Sequence, residues 1–140
     1  MENRVLAFDL DISTGSLTNR TTLVAMPTPD NMELNSDGRL WVASPLSNQI
    51  YSVNPKNGES YVVFDAQTQI GLEIMEEGIR RMEMGNGFIQ LITSELTGQM
   101  PGTLTGLIIG DESQSFYVAN LGTALICLLY TSPSPRDLVI

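Results

Sequence analysis

Short runs of alternating apolar and polar residues, broken by glycine-containing turns, organise most of this chain. Asn3-Arg4-Val5-Leu6-Ala7-Phe8-Asp9 leads into Ser13-Thr14-Gly15 and a second run from Leu17 to Met26. The same order recurs as Asn48-Gln49-Ile50-Tyr51-Ser52-Val53-Asn54, then Lys56-Asn57-Gly58, then Glu59 to Phe64, an offset of 45 residues (Asn3 to Asn48). A period of two with a glycine at the turn predicts a β-hairpin in each copy.

A second repeat has an offset of 75 to 76. Asn31-Met32-Glu33-Leu34-Asn35-Ser36-Asp37 parallels Gly106-Leu107-Ile108-Ile109-Gly110-Asp111-Glu112, and Leu40-Trp41-Val42-Ala43 parallels Phe116-Tyr117-Val118-Ala119. Four short antiparallel strands repeating at about 45 residues is the period of a propeller blade. The expected fold is therefore all-β, a partial β-propeller of about two to three blades. Val5 to Met26 form the outer strands of one blade, Asp30 to Phe64 a complete blade, and Thr105 to Ile126 the opening of another. Between the last two lies an insertion from Ala66 to Pro101. It is expected to hold a short helix over Ile70 to Met84, with Ile70, Ile74 and the Met82/Met84 pair facing inward, although Gly71 and Gly78 lower helix propensity. Phe88 to Thr93 read as a strand. On this pattern the chain starts and stops in mid-blade, and its own N-terminal blades are expected to be missing partners.

Charge and composition narrow the chemistry. The 140 residues carry 7 basic and 16 acidic side chains, a net charge of −9, which argues against nucleic acid and against an anionic membrane surface. There is no histidine, which removes the commonest general base and zinc ligand. Cys127 is the single cysteine, so no disulfide or CxxC metal site forms within the chain. No apolar stretch approaches the roughly 20 residues of a membrane helix, and no apolar run of signal-peptide type follows Met1-Glu2-Asn3-Arg4. Compartment is not legible. Cys127 to Asp137 matches one reading frame of a transposase-type sequencing adapter. Residues 1–126 are thus expected to be the C-terminal blades of a truncated propeller, and residues 127–140 a disordered tail derived from the adapter.

Candidate chemistry concentrates in Pro27-Thr28-Pro29-Asp30-Asn31, ahead of Met32-Glu33-Leu34, the Asp37-Gly38 turn and Leu40-Trp41-Val42-Ala43. The prolines hold the approach extended. Asp30 and Asn31 then stand at the start of an inner strand, where a carboxylate and an amide oxygen offer hard donors suited to Ca²⁺. The same residues also make an ordinary turn signal. Trp41 and Tyr117 read as packing aromatics, and Glu73, Glu76, Glu77 and Glu83 as a solvated helix face paired with Arg80 and Arg81.

This pattern resembles the SMP-30/gluconolactonase/LRE-like family, and the adjacent Asp30-Asn31 pair is closer to its paraoxonase-like branch. Pro101 to Gly106 with Tyr117 to Ile126 is similar to the last blade of bacterial members. The resemblance implies a six-bladed propeller with a central Ca²⁺ held by a Glu and several Asn/Asp residues, hydrolysing a small-molecule lactone or ester. Strictosidine-synthase-like relatives use the same scaffold for other chemistry. By that resemblance Asp30 is a metal ligand and candidate catalytic base, and Asn31 a second metal ligand. The remaining ligands would lie on blades absent here, so this fragment is expected to be inactive by itself. The histidine of the paraoxonases has no counterpart in Ser44-Pro45-Leu46-Ser47. The alternative is a non-catalytic propeller that binds a ligand or a protein.

Overall fold

A computed structural model describes residues 3–98, 100, 102–110, 115–122 and 128–131. Its strands fall into three antiparallel sheets. The hairpin β1 (Arg4–Asp11) and β2 (Ser16–Ala25) forms the first. The second has four strands in sequence order, β3 (Met32–Leu34), β4 (Leu40–Ser44), β5 (Gln49–Val53) and β6 (Ser60–Asp65). The third joins β7 (Gly102–Ile109), β8 (Ser115–Gly122) and β9 (Leu128–Thr131).

Alternation along β4 and β5 explains how these sheets stack. Leu40 and Val42 pair with Val53 and Tyr51, and all four project to one face. There they meet Val5, Leu23, Val24 and Met26 of the first sheet. Ala43 pairs with Ile50, and with Trp41 they occupy the other face, against Leu104, Leu107, Phe116 and Val118 of the third sheet. Trp41 meets Phe116 edge-on, with ring centroids 5.2 Å apart at 73°. The central sheet is thus apolar on both sides and stacked between two neighbours. A four-stranded meander stacked face to face between two further antiparallel sheets is the arrangement of propeller blades, and the chain is a partial β-propeller with a short helical insertion.

Close approach sets local limits at a few positions. The turn between β5 and β6 lies against β2 so tightly that a Cβ on Gly58, whose φ is +74°, would collide with the Leu23 carbonyl oxygen. Only glycine meets both demands.

The insertion departs from expectation in two respects. Its helix α1 (Gln69–Glu83) is capped by Thr68, whose Oγ1 accepts the Gly71 N–H at 2.9 Å. Its buried residues, however, are Gly71 and Gly78, whereas Ile70 and Met84 are exposed. A Cβ at Gly78 would lie 2.8 Å from Leu46 Cδ1, so the helix makes its closest approach to the blade at a glycine, while Ile74 and Met82, expected to face inward, are half-buried. Secondly, Phe88 to Thr93 is not a strand. Ile89–Leu91 is a 3-10 turn closed by Leu91 N–H to Phe88 O at 2.8 Å, and a short helix α2 (Ser94–Thr97) follows. Gly85, at φ +73°, and Gly87 reverse the chain just before it, and the local i→i+3 bonds take the backbone groups that a sheet edge would otherwise pair.

Within the segment expected to be a disordered tail, Leu128–Thr131 pairs with β8, from Ser115 opposite Thr131 to Val118 opposite Leu128. An apolar, β-prone tetrapeptide beside an unpaired edge is drawn into the sheet whatever its origin. Residues 123–127 and 132–140, and with them most of the adapter-like run, lie outside the described residues.

Candidate functional site

The place to look for chemistry in a stack of blades is where their first strands meet, because these line the axis. Here β3 meets β7. Asp30 and Asn31 immediately precede β3 and extend its ladder: the Asp30 N–H donates to Ala43 O at 3.0 Å, and the Ala43 N–H donates to Asn31 O at 2.9 Å. The approach through Pro27 and Pro29 delivers both residues to this edge, but it bends at Thr28 rather than running extended as expected. Thr28, between the prolines, has φ +34° and is buried, and its Oγ1 accepts the Leu46 N–H at 3.1 Å. The approach is therefore fastened before the candidate residues begin.

Asp30 and Asn31 have different surroundings. Both are exposed. Asn31 Oδ1 accepts the Leu107 N–H of β7 at 3.0 Å. Two residues on, Glu33 Oε2 accepts the Ile109 N–H at 3.0 Å. Residues 31 and 33 share one side of their strand, and 107 and 109 are alternate donors on β7. Together they cap the open edge of the next blade. Sequence reasoning singled out Asn31 but missed this role, and it missed Glu33 altogether. The signal was present: each donor lies 76 residues after its acceptor, which is the repeat offset.

A related pair of clasps uses the 45-residue repeat. Asn3 Oδ1 accepts the Thr28 N–H at 3.0 Å, at the entry to the central blade. Asn48, the repeat partner of Asn3, is fully buried with φ +54°. Its Oδ1 accepts the Leu104 N–H at 3.3 Å, and its Nδ2 donates to Ala66 O at 3.3 Å and Thr97 O at 3.2 Å. Each asparagine ties the start of a third strand to the blade that follows.

For a divalent ion, the donor types at Asp30 and Asn31 are suitable. The Asp30 carboxylate is open, and a carbonyl oxygen such as Asn31 Oδ1 keeps a second lone pair after one hydrogen bond. Two residues are too few for Ca²⁺, which takes six to eight oxygens. Among the described residues no group of three or more His, Cys, Asp or Glu side chains is placed to hold a metal ion. The two residues fit such an ion as part of a larger set. Elsewhere, Glu77 on α1 binds Arg80 and Arg81, each at 2.8 Å, and its carboxyl is held down to about 2 by those hydrogen bonds. That is the solvated, paired helix face expected from the spacing. Trp41 packs as expected, whereas Tyr117 is exposed on the far face of the third sheet.

Comparison with known proteins agrees with this architecture. No family model matches the chain. The solved structure of a luciferin-regenerating enzyme superposes on it with a TM-score of 0.53 and 18% identity, covering 85% of this chain and 31% of that one. A stretch of 59 residues is 39% identical to regucalcin of Danio rerio, covering 39% of this chain and 20% of that protein. The chain resembles SMP-30/LRE-like propellers. It spans about a third or less of the length of either relative. Among the described residues no helix is long and apolar enough to cross a membrane.

Proposed function

We propose that the chain is part of a Ca²⁺-dependent lactone or ester hydrolase of the SMP-30/gluconolactonase type, with Asp30 as catalytic base and metal ligand and Asn31 as a second ligand. The observation that carries this reading is the placement of an open carboxylate at the axial edge of the complete blade, beside an amide fixed to the next blade at 3.0 Å. Fixing Asn31 orders the backbone that presents Asp30, and preorganised donors are what a reacting carbonyl requires. Asp30 would accept the proton of an attacking water, or hold that water in place. Asn31 would offer its remaining lone pair to the ion. Bound Ca²⁺ supplies Lewis acidity toward the carbonyl oxygen of a lactone. The rest of the ligand set would come from residues other than those described, and the polypeptide by itself is expected to be inactive.

The test is Asp30→Asn in a protein that carries the complete propeller, assayed for Ca²⁺-dependent hydrolysis of a lactone panel and for Ca²⁺ affinity. Loss of a general base lowers kcat by about 10²- to 10⁴-fold, and loss of a ligand weakens Ca²⁺ binding with it. Unchanged turnover and unchanged Ca²⁺ affinity would end the assignment. A second reading, a non-catalytic binding propeller, draws on one specific observation. Both Asn31 and Glu33 are already engaged in capping β7, a role that needs no metal.

A further inference from the structure

The chain holds two Asn-Gly pairs, Asn57-Gly58 and Asn86-Gly87. This dipeptide is prone to lose its side-chain ammonia, because a glycine nitrogen with no neighbouring Cβ reaches the asparagine Cγ unhindered. Both asparagines are exposed, so access of water does not distinguish them. Their backbones do.

Asn57-Gly58 is locked. Asn57 Oδ1 accepts the Glu59 N–H at 3.0 Å, an Asx turn that holds the side-chain amide. The Gly58 N–H, whose nitrogen would be the nucleophile, donates to Asn54 O at 2.9 Å. Gly58 itself is half-buried and wedged against the Leu23 carbonyl. Ring closure there requires both bonds to break and the turn between β5 and β6 to lift off β2.

Asn86-Gly87 has none of these restraints. It follows α1, whose end is closed by the Gly85 N–H on Met82 O at 3.0 Å and the Asn86 N–H on Arg81 O at 2.8 Å, with Gly85 at φ +73°. This is a Schellman closure. It fixes the backbone nitrogen of Asn86 and leaves the side chain outside. Among the described residues nothing bonds the Asn86 amide, and no acceptor meets the Gly87 N–H. A Cβ at Gly85 or Gly87 would meet nothing within 4 Å, so the Gly87 nitrogen has room to turn toward Asn86.

We propose that Asn86 is a site of spontaneous deamidation, with isoaspartate among its products, and that the folded blade protects Asn57 from the same reaction. The Gly87 nitrogen bonds to Asn86 Cγ and loses its proton. The Cγ–Nδ2 bond breaks, and the departing nitrogen takes up a proton and leaves as ammonia. One water then opens the cyclic imide at either carbonyl, which yields aspartate or isoaspartate at position 86. No oxidant or cofactor enters. The product is one charge more negative than the −9 of the parent chain. Its new carboxylate lies just beyond the C-terminal end of α1, where the helix dipole disfavours an anion. The isoaspartyl form also carries the backbone through the side-chain carbon, which alters the loop leading to Phe88. The reaction is independent of Asp30 and of any metal.

The test is incubation of the full 140-residue chain at mildly alkaline pH. Its proteolytic peptides are then sequenced by mass spectrometry and labelled with an isoaspartate-specific methyltransferase. In the folded chain Asn86 is expected to convert at least about tenfold faster than Asn57, where two hydrogen bonds must open first. In urea the two rates should converge, because the dipeptides are the same. Gly87→Ala, whose Cβ meets open space, is expected to suppress conversion at position 86 in the folded chain. No conversion at Asn86, equal rates in the folded chain, faster loss at Asn57, a difference that survives in urea, or undiminished conversion in Gly87→Ala each overturns the proposal.

Discussion

The complete blade and the insertion that meets it at Leu46 are built differently. In the blade, β4 and β5 bury large side chains on both faces, with Val42, Ile50 and Val53 fully shielded. In α1 the fully buried residues are glycines; Leu72, Ile74, Met75, Ile79 and Met82 are half-buried, and Ile70 lies outside. Stability in the first case comes from apolar area removed from water. In the second it comes from half-buried apolar side chains, joined by a cap, a close backbone approach and surface ion pairs, each small. The comparison teaches that an apolar residue means different things in the two regions: in β4 and β5 it marks a fully buried core, and in α1 a half-buried flank, with the closest approach left to glycine.

The sharpest way to break this contrast is to truncate an isoleucine in each region. Ile50→Ala removes a side chain enclosed by Ala43, Phe64 and the third sheet, and such deletions cost about 2–5 kcal/mol. Ile70→Ala removes a side chain that is 51% exposed and should stay within about 0.5 kcal/mol of the parent. Urea denaturation of the pair measures the difference. Equal midpoints would mean that α1 is buried in a way its exposure denies.

A smaller effect is expected where the two regions are joined. Asn48→Ala removes the acceptor of the Leu104 N–H and the donor to Ala66 O and Thr97 O in one change. Leaving buried backbone groups unpaired costs about 1–3 kcal/mol each when nothing replaces the bond. Water can enter to satisfy some of them, so the total should be less than for Ile50→Ala. Hydrogen exchange localises the effect: faster exchange at Leu104 with β4 and β5 unchanged is the expected pattern, and uniform loss of protection across all three sheets would contradict a clasp at this joint.

The fold was readable where alternation repeats. The 45-residue offset located β1, β2, β5 and β6, and the 76-residue offset located the inner strands, because a period of two with a glycine turn leaves few other structures open. Phe88 to Thr93 was misread because an apolar run carries no period of its own and its fate depended on whether a sheet edge lay beside it. The helix was legible and its orientation only in part: Ile74 and Met82 are half-buried, whereas Ile70 and Met84 are exposed. Glycine reads as a weak point in a helix, and nothing local tells that Gly78 is the contact with Leu46. At the site, Asp30 and Asn31 stood out by residue type, but Asn31 and Glu33 as caps of Leu107 and Ile109 required pairing the two copies of the repeat across space. Asn3 and Asn48 were written into the repeat from the start. Their clasping role is invisible in sequence because a buried asparagine and a turn asparagine look the same.

The gentlest test concerns the outer face of α1, the part of the insertion that needs no burial at all. Hydrogen bonds from Arg80 and Arg81 lower the Glu77 carboxyl from 4.5 to about 2. A carboxylate whose folded value is depressed adds stability that is fully present above its unfolded value and fades as pH falls toward the folded one. The contribution of Glu77 should therefore be intact above about 4.5 and disappear progressively as pH approaches about 2. The Glu77 side chain is 33% exposed and its partners lie at the surface, and pairs of that kind add little and are screened by salt. Helix-specific exchange rates in Glu77→Gln and the parent should thus differ slightly at neutral pH and low salt, and converge both in acid and in high salt. Glu77 and its partners all lie on α1, so exchange rates in the blade should be the same in the two proteins at neutral pH. A Glu77→Gln effect that reached β4 and β5 would show the helix and the blade to be one cooperative unit, and the contrast between them would then be one of packing style alone.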